Sequence, residues 1–504
     1  MWRLNKTTLL LAILSYSYIP LFIFLLGWVK VCFAIPACIL LLYFLFRFYL
    51  EKRKEVSNII TIHWGIVVSL SLLILVVCVL CGYGGFVNQA WDWIKHNAIL
   101  QDLYTHSWPV TYMIDGKVAL LTYYHGLYLL PALIGKVFHS HFITELSFGI
   151  IGYVGLWLMI FSLIYITKAN KWYKQLGVFF LFILFAGLVF PLQKICHLVT
   201  GEGYCNNWHA LMFNEHSLQF RSIFVMLRWV GPQCFTIWLS IILYLYYKDD
   251  LQWYVLIALP SLLSGTWAFL GLVFVMIYYA SYVVAKRLNS WKKIFTWSNI
   301  LPVITSGIIF FLYLLQNKVV QGHSTQNQSF GFVSYQGIEW ILYVLFVMIT
   351  YGIYTLAVWY DNRKDILFYV IPLSFILIPL FTIGSETDFC MGVSIPVVIL
   401  LFIYVAKYII SPPHHFFATI IVSALIICIL LGAKYPFAEL KNEVLAYGWK
   451  IDKNYSQQTM DICFRDNSTH CLQKTGILWE NYICQDIEDS IYYKYISKKI
   501  DHHD

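Results

Sequence analysis

Apolar runs of about 20 residues recur along this chain from Thr7 to Leu431, and the charges between them come in short clusters. A run of that length closes its backbone hydrogen bonds internally as a helix and crosses the ~30 Å hydrocarbon layer of a bilayer. Sixty per cent of the 504 residues are hydrophobic and 12% are charged. That leaves too little polar surface to clothe a soluble body of this size. The fold expected is all-α: a polytopic integral membrane protein. The first run, Thr7–Val29, follows Arg3 and Lys6, has no small-residue cleavage site and leads at once into Val31–Leu50, so it reads as a retained anchor.

The net charge of +8 builds no continuous basic face, and no nucleic-acid partner is expected. Its clusters, Glu51–Lys54, Lys168–Lys174, Lys286–Lys293 and Asn362–Lys364, suit cytoplasmic loops under the positive-inside rule. With the amino terminus inside, Thr7–Val29, Val31–Leu50 and Ile59–Leu80 cross in turn and deliver the polar loop Gly82–Gly116 to the outer face. Leu120–Phe138 is laid down as an interfacial or re-entrant helix broken near Pro131, within a segment 117–138, because a further crossing there would put Lys168–Lys174 outside. Phe148–Thr167, Gly177–Phe190 and Ser222–Tyr247 follow. Leu251–Val284, with Pro260, Gly265 and Gly271, reads as a hairpin with both ends in the cytoplasm. Ile300–Leu315, Ile338–Trp359, Ile366–Ile383, Val393–Ile410 and Phe416–Leu431 bring the total to about eleven crossings. Residues 1–433 form the transmembrane domain and 434–504 a short extracytoplasmic tail. In the tail Cys463 and Cys471 could be bridged or free, and Asn467 heads a glycosylation-type triplet.

The candidate chemistry gathers in the outer loops. The first carries Asp92, Lys95, His96, Asn97, Asp102 and Asp115 among Trp91, Trp93 and Trp108. The second, from Gln193 to Arg221, carries Glu202, Asn206, Asn207, His209, Asn214, Glu215 and Gln219. Arg228 lies inside the apolar run that follows, with Gln233 beyond it, and Glu386 and Asp388 come later. Ionisable groups where a spanning helix meets water mark a functional site by default. A carboxylate takes a hydroxyl proton, and a guanidinium or divalent cation offsets charge on a departing phosphate. No Gly-rich phosphate loop or CxxC pair is present, which argues against a nucleotide-driven pump, a Rossmann enzyme or a zinc module.

The order Trp91-Asp92-Trp93-Ile94-Lys95-His96-Asn97, Trp108-Pro109-Val110 and Leu121-Thr122-Tyr123-Tyr124-His125-Gly126, with Ser217-Leu218-Gln219-Phe220, Trp229-Val230-Gly231-Pro232-Gln233 and Asp388-Phe389-Cys390-Met391, resembles the GT-C superfamily of polytopic glycosyltransferases. Within it, the series is similar to an uncharacterised bacterial membrane-protein group, over about residues 60 to 435. The resemblance implies a GT-C-like fold and inverting transfer of a sugar from a polyprenyl-phosphate donor to a glycan, lipid or protein acceptor at the outer face of the plasma (inner) membrane. Asp92 and Asp102 would be the catalytic acids. His96, Asn97, Lys95, Trp93, Trp108, Tyr124, Gln219, Arg221, Arg228, Gln233 and Asp388 would bind substrate. The resemblance fixes no cofactor; a divalent cation could take part, although no ligand cluster in the sequence supports one. The chain departs from the group in lacking an adjacent acidic pair at Asp92 and in carrying Gly392 where the resemblance implies Arg.

Each residue also has a plainer role. Asp92 would cap the helix starting at Trp93, Asp102 would be a surface charge, Lys95 would snorkel to headgroups, and the Trp and Tyr residues would form an interfacial belt among membrane lipids. Arg228 would sit in a buried pair with Glu215 or Glu202. A secondary transporter and a non-catalytic subunit of an envelope polysaccharide pathway are the rival functions.

Overall fold

The computed structural model describes residues 1–55, 58–90, 92–114, 117–201, 210–213, 216–287, 290–316, 329–384, 386–441, 482–484 and 487–499. Among them nine helices are long and apolar enough to cross a bilayer, or ten if one bent pair counts as a span. The chain opens with strand β1 (Trp2–Asn5), helices α1 (Lys6–Trp28) and α2 (Val31–Lys52), strand β2 (Ile59–Ile62) and α3 (Trp64–Leu80). Asn5 caps α1 by accepting from the Thr8 amide, and β1 pairs with β2. Leu42, Phe46, Leu72 and Leu75 stay exposed. Side chains of this kind in such number need lipid to cover them.

The polar loop folds into α4 (Trp93–Thr105), strands β3 (Thr111–Ile114) and β4 (Lys117–Leu121), and α5 (Gly126–Phe138). The segment 117–138, expected as one interfacial helix, is therefore a strand followed by a helix. β3 satisfies the backbone of Lys117–Leu121. Helix α5 also runs unbroken through Pro131. Proline removes one helical hydrogen bond, and here packing outweighs the loss. Gly135 lets α5 approach α6 (His141–Ile166) so closely that a methyl there would meet Thr144 Oγ1.

Gly177–Phe190, expected as a single crossing, is α7 (Trp172–Leu184) and α8 (Val189–Thr200), bent by 40°. A short hairpin, β5 (Leu211–Phe213) and β6 (His216–Leu218), leads to α9 (Ile223–Tyr247), which Ser222 caps. The hairpin expected at Leu251–Val284 is α10 (Tyr254–Leu262) and α11 (Thr266–Lys286), turning at Gly265. Tyr279 of α11 donates to Asp249 at 2.9 Å, so the descending arm returns to the level where the ascending arm begins. Then come α12 (Trp291–Leu314), β7 (Ser329–Phe332), α13 (Glu339–Asn362), α14 (Val370–Leu377), β8 (Phe381–Gly384), α15 (Glu386–Ile410) and α16 (Phe416–Leu440). α9 and α15 are almost wholly enclosed and form the centre of the bundle. Gly271 of α11 meets α15 so tightly that a methyl would strike the Val393 carbonyl oxygen. Small residues set such close helix contacts in membranes.

Ion pairs gather one end of the bundle: Lys6–Glu55 (2.9 Å), Lys52–Asp250 (2.7 Å), Lys248–Asp365 (3.6 Å) and His415–Asp361 (3.2 Å). The opposite end carries the first polar loop. Strand β9 (Ile483–Cys484) joins β4 there, the Lys30 amide donates to the Ile496 carbonyl and Tyr492 is buried beside Tyr313. The described parts of 434–504 thus pack into the bundle instead of standing off as a tail. The β-strands were absent from the all-α expectation. They are short and close off loops, and hydropathy does not report them.

Candidate functional site

Helix α4 begins where Asp92 leaves the loop, yet Asp92 does not cap it. Its backbone is already helical and its side chain makes no capping bond. The carboxylate faces Lys95 one turn on, with Oδ1 3.1 Å from Nζ. Burial pushes the Asp92 carboxyl up, but Lys95, Arg221 and His96 together outweigh it and hold the group below the usual carboxylate range. Burial alone would lower Lys95; Asp92, then Tyr482, Tyr124 and Asp388, raise it instead. Both partners therefore favour the ionised pair.

Arg221 stands at the same place from the far side. Its guanidinium lies over the Trp229 ring, 5.5 Å from the centroid, while Nε and Nη1 are buried and have no hydrogen-bond partner among the described residues. Arg221 acts electrostatically on both Asp92 and Asp388. Asp388 sits near the start of α15 with an exposed side chain, although Lys95, Arg221 and Asp92 all bear on it. Asp388 thus joins this charged group while its side chain stays open to water. Tyr124 and Tyr482 complete the wall. Gln233 donates to the Tyr124 hydroxyl at 2.9 Å, and burial raises both phenols, so they stay neutral donors.

His96 is fully enclosed beneath this wall. Its Nε2 lies 2.9 Å from the Trp229 carbonyl oxygen, which makes Nε2 the protonated nitrogen, and its Nδ1 accepts from the Tyr128 hydroxyl at 2.6 Å. Burial first, then Lys95, pushes it down to about 4. His96 thus fixes α4 to α9 and α5 as a neutral ring. Asn97 donates to Gln89 at 2.6 Å, and Gln89 donates to the Gly82 carbonyl oxygen, which ties the loop entry to the helix.

Neither a family model, nor a curated protein, nor a solved structure matches this chain. Its chemistry is read from geometry alone.

The expected residues divide into two groups. Asp92, Lys95, Tyr124, Arg221 and Asp388 converge, and Gln233 and His96 support them. Asp102 does not join them: it is 0% exposed, and its Oδ2 accepts from Tyr112 at 2.8 Å, so no substrate reaches it. Arg228 is also 0% exposed, donates to the Leu80 carbonyl oxygen at 2.9 Å and lies 3.4 Å from Glu439. It is a buried cation with Glu439 as a partner among the described residues; Glu202 and Glu215 lie outside them. Trp93 is 1% exposed and donates to the Arg228 carbonyl oxygen, so its ring offers no platform; Trp108 is half-buried, its ring tilted against Trp28, and it donates to the Leu103 carbonyl oxygen. Gln219 is buried too. Gly392 packs against Trp267, where even a methyl would come within 2.6 Å of Cβ, so no Arg fits. Trp91, Asp115, Glu202, Asn206, Asn207, His209, Asn214, Glu215, Cys463, Asn467 and Cys471 lie outside the described residues, as does the Glu386 side chain.

Tyr482 is the site residue that sequence reading missed. The Thr122 amide donates to its carbonyl oxygen at 2.9 Å, and its ring lies 4.9 Å from Tyr123. A two-residue strand far along the chain carries no signal that would assign it to this wall. Among the described residues no cluster of three His, Cys, Asp or Glu side chains could hold a metal.

Proposed function

We propose that this protein is a glycosyltransferase of GT-C-like architecture, with about eleven crossings. It moves a sugar from a polyprenyl-phosphate donor to a hydroxyl acceptor on a glycan, lipid or protein at the outer face of the plasma (inner) membrane. The amino terminus is cytoplasmic and the described carboxyl-terminal segment lies on the outer side with the site. The observation that carries this reading is that two buried Arg221 nitrogens without hydrogen bonds among the described residues act on the same Asp92 carboxylate that pairs with Lys95. Buried guanidinium nitrogens without hydrogen bonds are costly, and a phosphate or another anion repays that cost.

The chemistry follows from the charges. An acceptor hydroxyl oxygen attacks the anomeric carbon while Asp92 takes its proton, and the bond from that carbon to the phosphate oxygen breaks. Polyprenyl phosphate leaves with the electron pair, stabilised by Arg221 and Lys95. An Asp92 held below the ordinary range is a weak base. Donor phosphate that draws Lys95 away from Asp92 restores its basicity, so base strength arrives with substrate.

The deciding experiment is transfer from a polyprenyl-phosphate sugar in proteoliposomes. Asp92→Asn should lose turnover by about 10²–10⁴-fold at unchanged abundance, while Asp102→Asn should keep it. Equal activity in wild type and Asp92→Asn ends the proposal. A transporter is the second reading, because the tip of the α10–α11 hairpin touches the site: the Leu263 carbonyl oxygen accepts from the Gly126 amide at 3.0 Å. Solute uptake without sugar transfer would favour it.

A further inference from the structure

A second feature lies away from the polar site and does not depend on how that site is read. An apolar groove of about 880 Å³ runs between α10, α11 and α12, starting at the ion-pair end of the bundle. Leu251, Trp291 and Phe295 stand at its mouth, and Leu262 and Phe311 near its inner end. At 1.5 Å per helical residue its walls run about 12 Å along α10 (Tyr254 to Leu262), about 22 Å along α11 (Phe269 to Val284) and up to about 30 Å along α12 (Trp291 to Phe311). Asn299, a polar residue of the lining, already spends its amide on the Leu251 and Ile294 carbonyl oxygens.

Four exposed cations flank the mouth: Lys286 and Arg287 just past Val284, and Lys292 and Lys293 just past Trp291, both of which line the groove. None of the four makes an ion pair among the described residues, and Lys286 donates only to the Tyr282 hydroxyl. Of the two acids just before Leu251, Asp249 is held by Tyr279 and Asp250 by Lys52.

We propose that this groove is a binding site for an anionic phospholipid of the leaflet at that end, with its acyl chains along the apolar walls and its phosphate among Lys286, Arg287, Lys292 and Lys293. Anionic headgroups and clustered Lys and Arg attract one another at a membrane surface, and an aromatic residue at the same level suits the interface. The four exposed cations at the mouth fit an anionic headgroup better than they fit an apolar partner helix. The bound lipid braces the α10–α11 hairpin, whose tip meets Gly126 and lies against Gln233.

The test uses the full-length protein in nanodiscs of phosphatidylglycerol and phosphatidylcholine. Native mass spectrometry should find phosphatidylglycerol retained selectively. Neutralising the four cations to Gln should weaken retention roughly fivefold for each charge removed. Ala280→Trp, which fills the groove without touching the charges, should lower it as well. Phosphatidylglycerol with a diazirine in its acyl chain, applied to the unaltered protein, should label Met276 or Ile304, which keeps the test independent of variant folding. Equal retention of both lipids, no effect of either substitution, or labelling spread evenly over lipid-facing helices would each overturn the proposal.

Discussion

Asp92 and Lys95 hold each other one helical turn apart, Oδ1 to Nζ at 3.1 Å, at the start of a helix that Asp92 does not cap. The pair converts a residue type usually spent on local helix capping into one half of a charged pair. Removing Lys95 leaves burial opposed by Arg221 and His96 only. Lys95→Met should raise the Asp92 carboxyl and move the acid limb of a pH–rate profile to higher pH. A limb that stays in place means Lys95 does not tune Asp92. Because Asp92 is depressed in the folded state, the stability this pair contributes is present above about pH 4, the unfolded carboxylate value, and is lost as pH falls through the folded value.

Two arginines seven residues apart should behave oppositely. Arg221→Gln removes a guanidinium with unbonded nitrogens and should cost turnover or donor affinity at normal abundance. Arg228→Gln removes the cation beside the buried Glu439 carboxylate, which then keeps the Trp229 indole N–H, and should destabilise the protein by about 3–5 kcal/mol. Thermal unfolding in detergent, beside the transfer assay, separates the two effects. A stable, inactive Arg228 variant with a fully active Arg221 variant would reverse the assignment.

His96 predicts an acid-sensitive fold. Its folded value is pushed down to about 4 from an ordinary 6.5, so its contribution is complete above pH 6.5 and drains away as pH falls toward 4. The total is on the order of 3 kcal/mol. His125, pushed down to about 3 by burial, works in the same direction. The melting temperature should fall across that window, and the fall should be shallower in His96→Gln. A flat profile in the unaltered protein contradicts the burial of both rings.

Tyr482 tests whether the carboxyl-terminal strand belongs to the site. Tyr482→Phe keeps the ring against Tyr123 and removes the hydroxyl near Lys95. It should shift KM or kcat while changing stability by no more than about 0.5 kcal/mol. Unchanged kinetics would reduce Tyr482 to packing.

Much of this was legible in the chain because bilayer physics is one-dimensional. Spans such as Val31–Lys52 and Trp291–Leu314 announce themselves by length and apolarity, and the α10–α11 hairpin by Pro260 and Gly265. Asp92, Lys95 and Asp388 stood out because charges are scarce here. The strand at Lys117–Leu121, the bend between α7 and α8 and the burial of Asp102 and Arg228 did not, since each depends on what the other side of the contact supplies.

By itself the sequence determined that the chain is a helical protein of the multi-pass membrane type with its scarce charges gathered in the loops between apolar runs, because an apolar run must be a helix in lipid and a charge there must be accounted for. Only the tertiary structure decided which charges remain available. Arg221 and Arg228 look alike along the chain, and Glu439, brought back more than 200 residues later, occupies one and leaves the other open. Pairing between residues so far apart is set by how helices pack in three dimensions, and no local pattern encodes it.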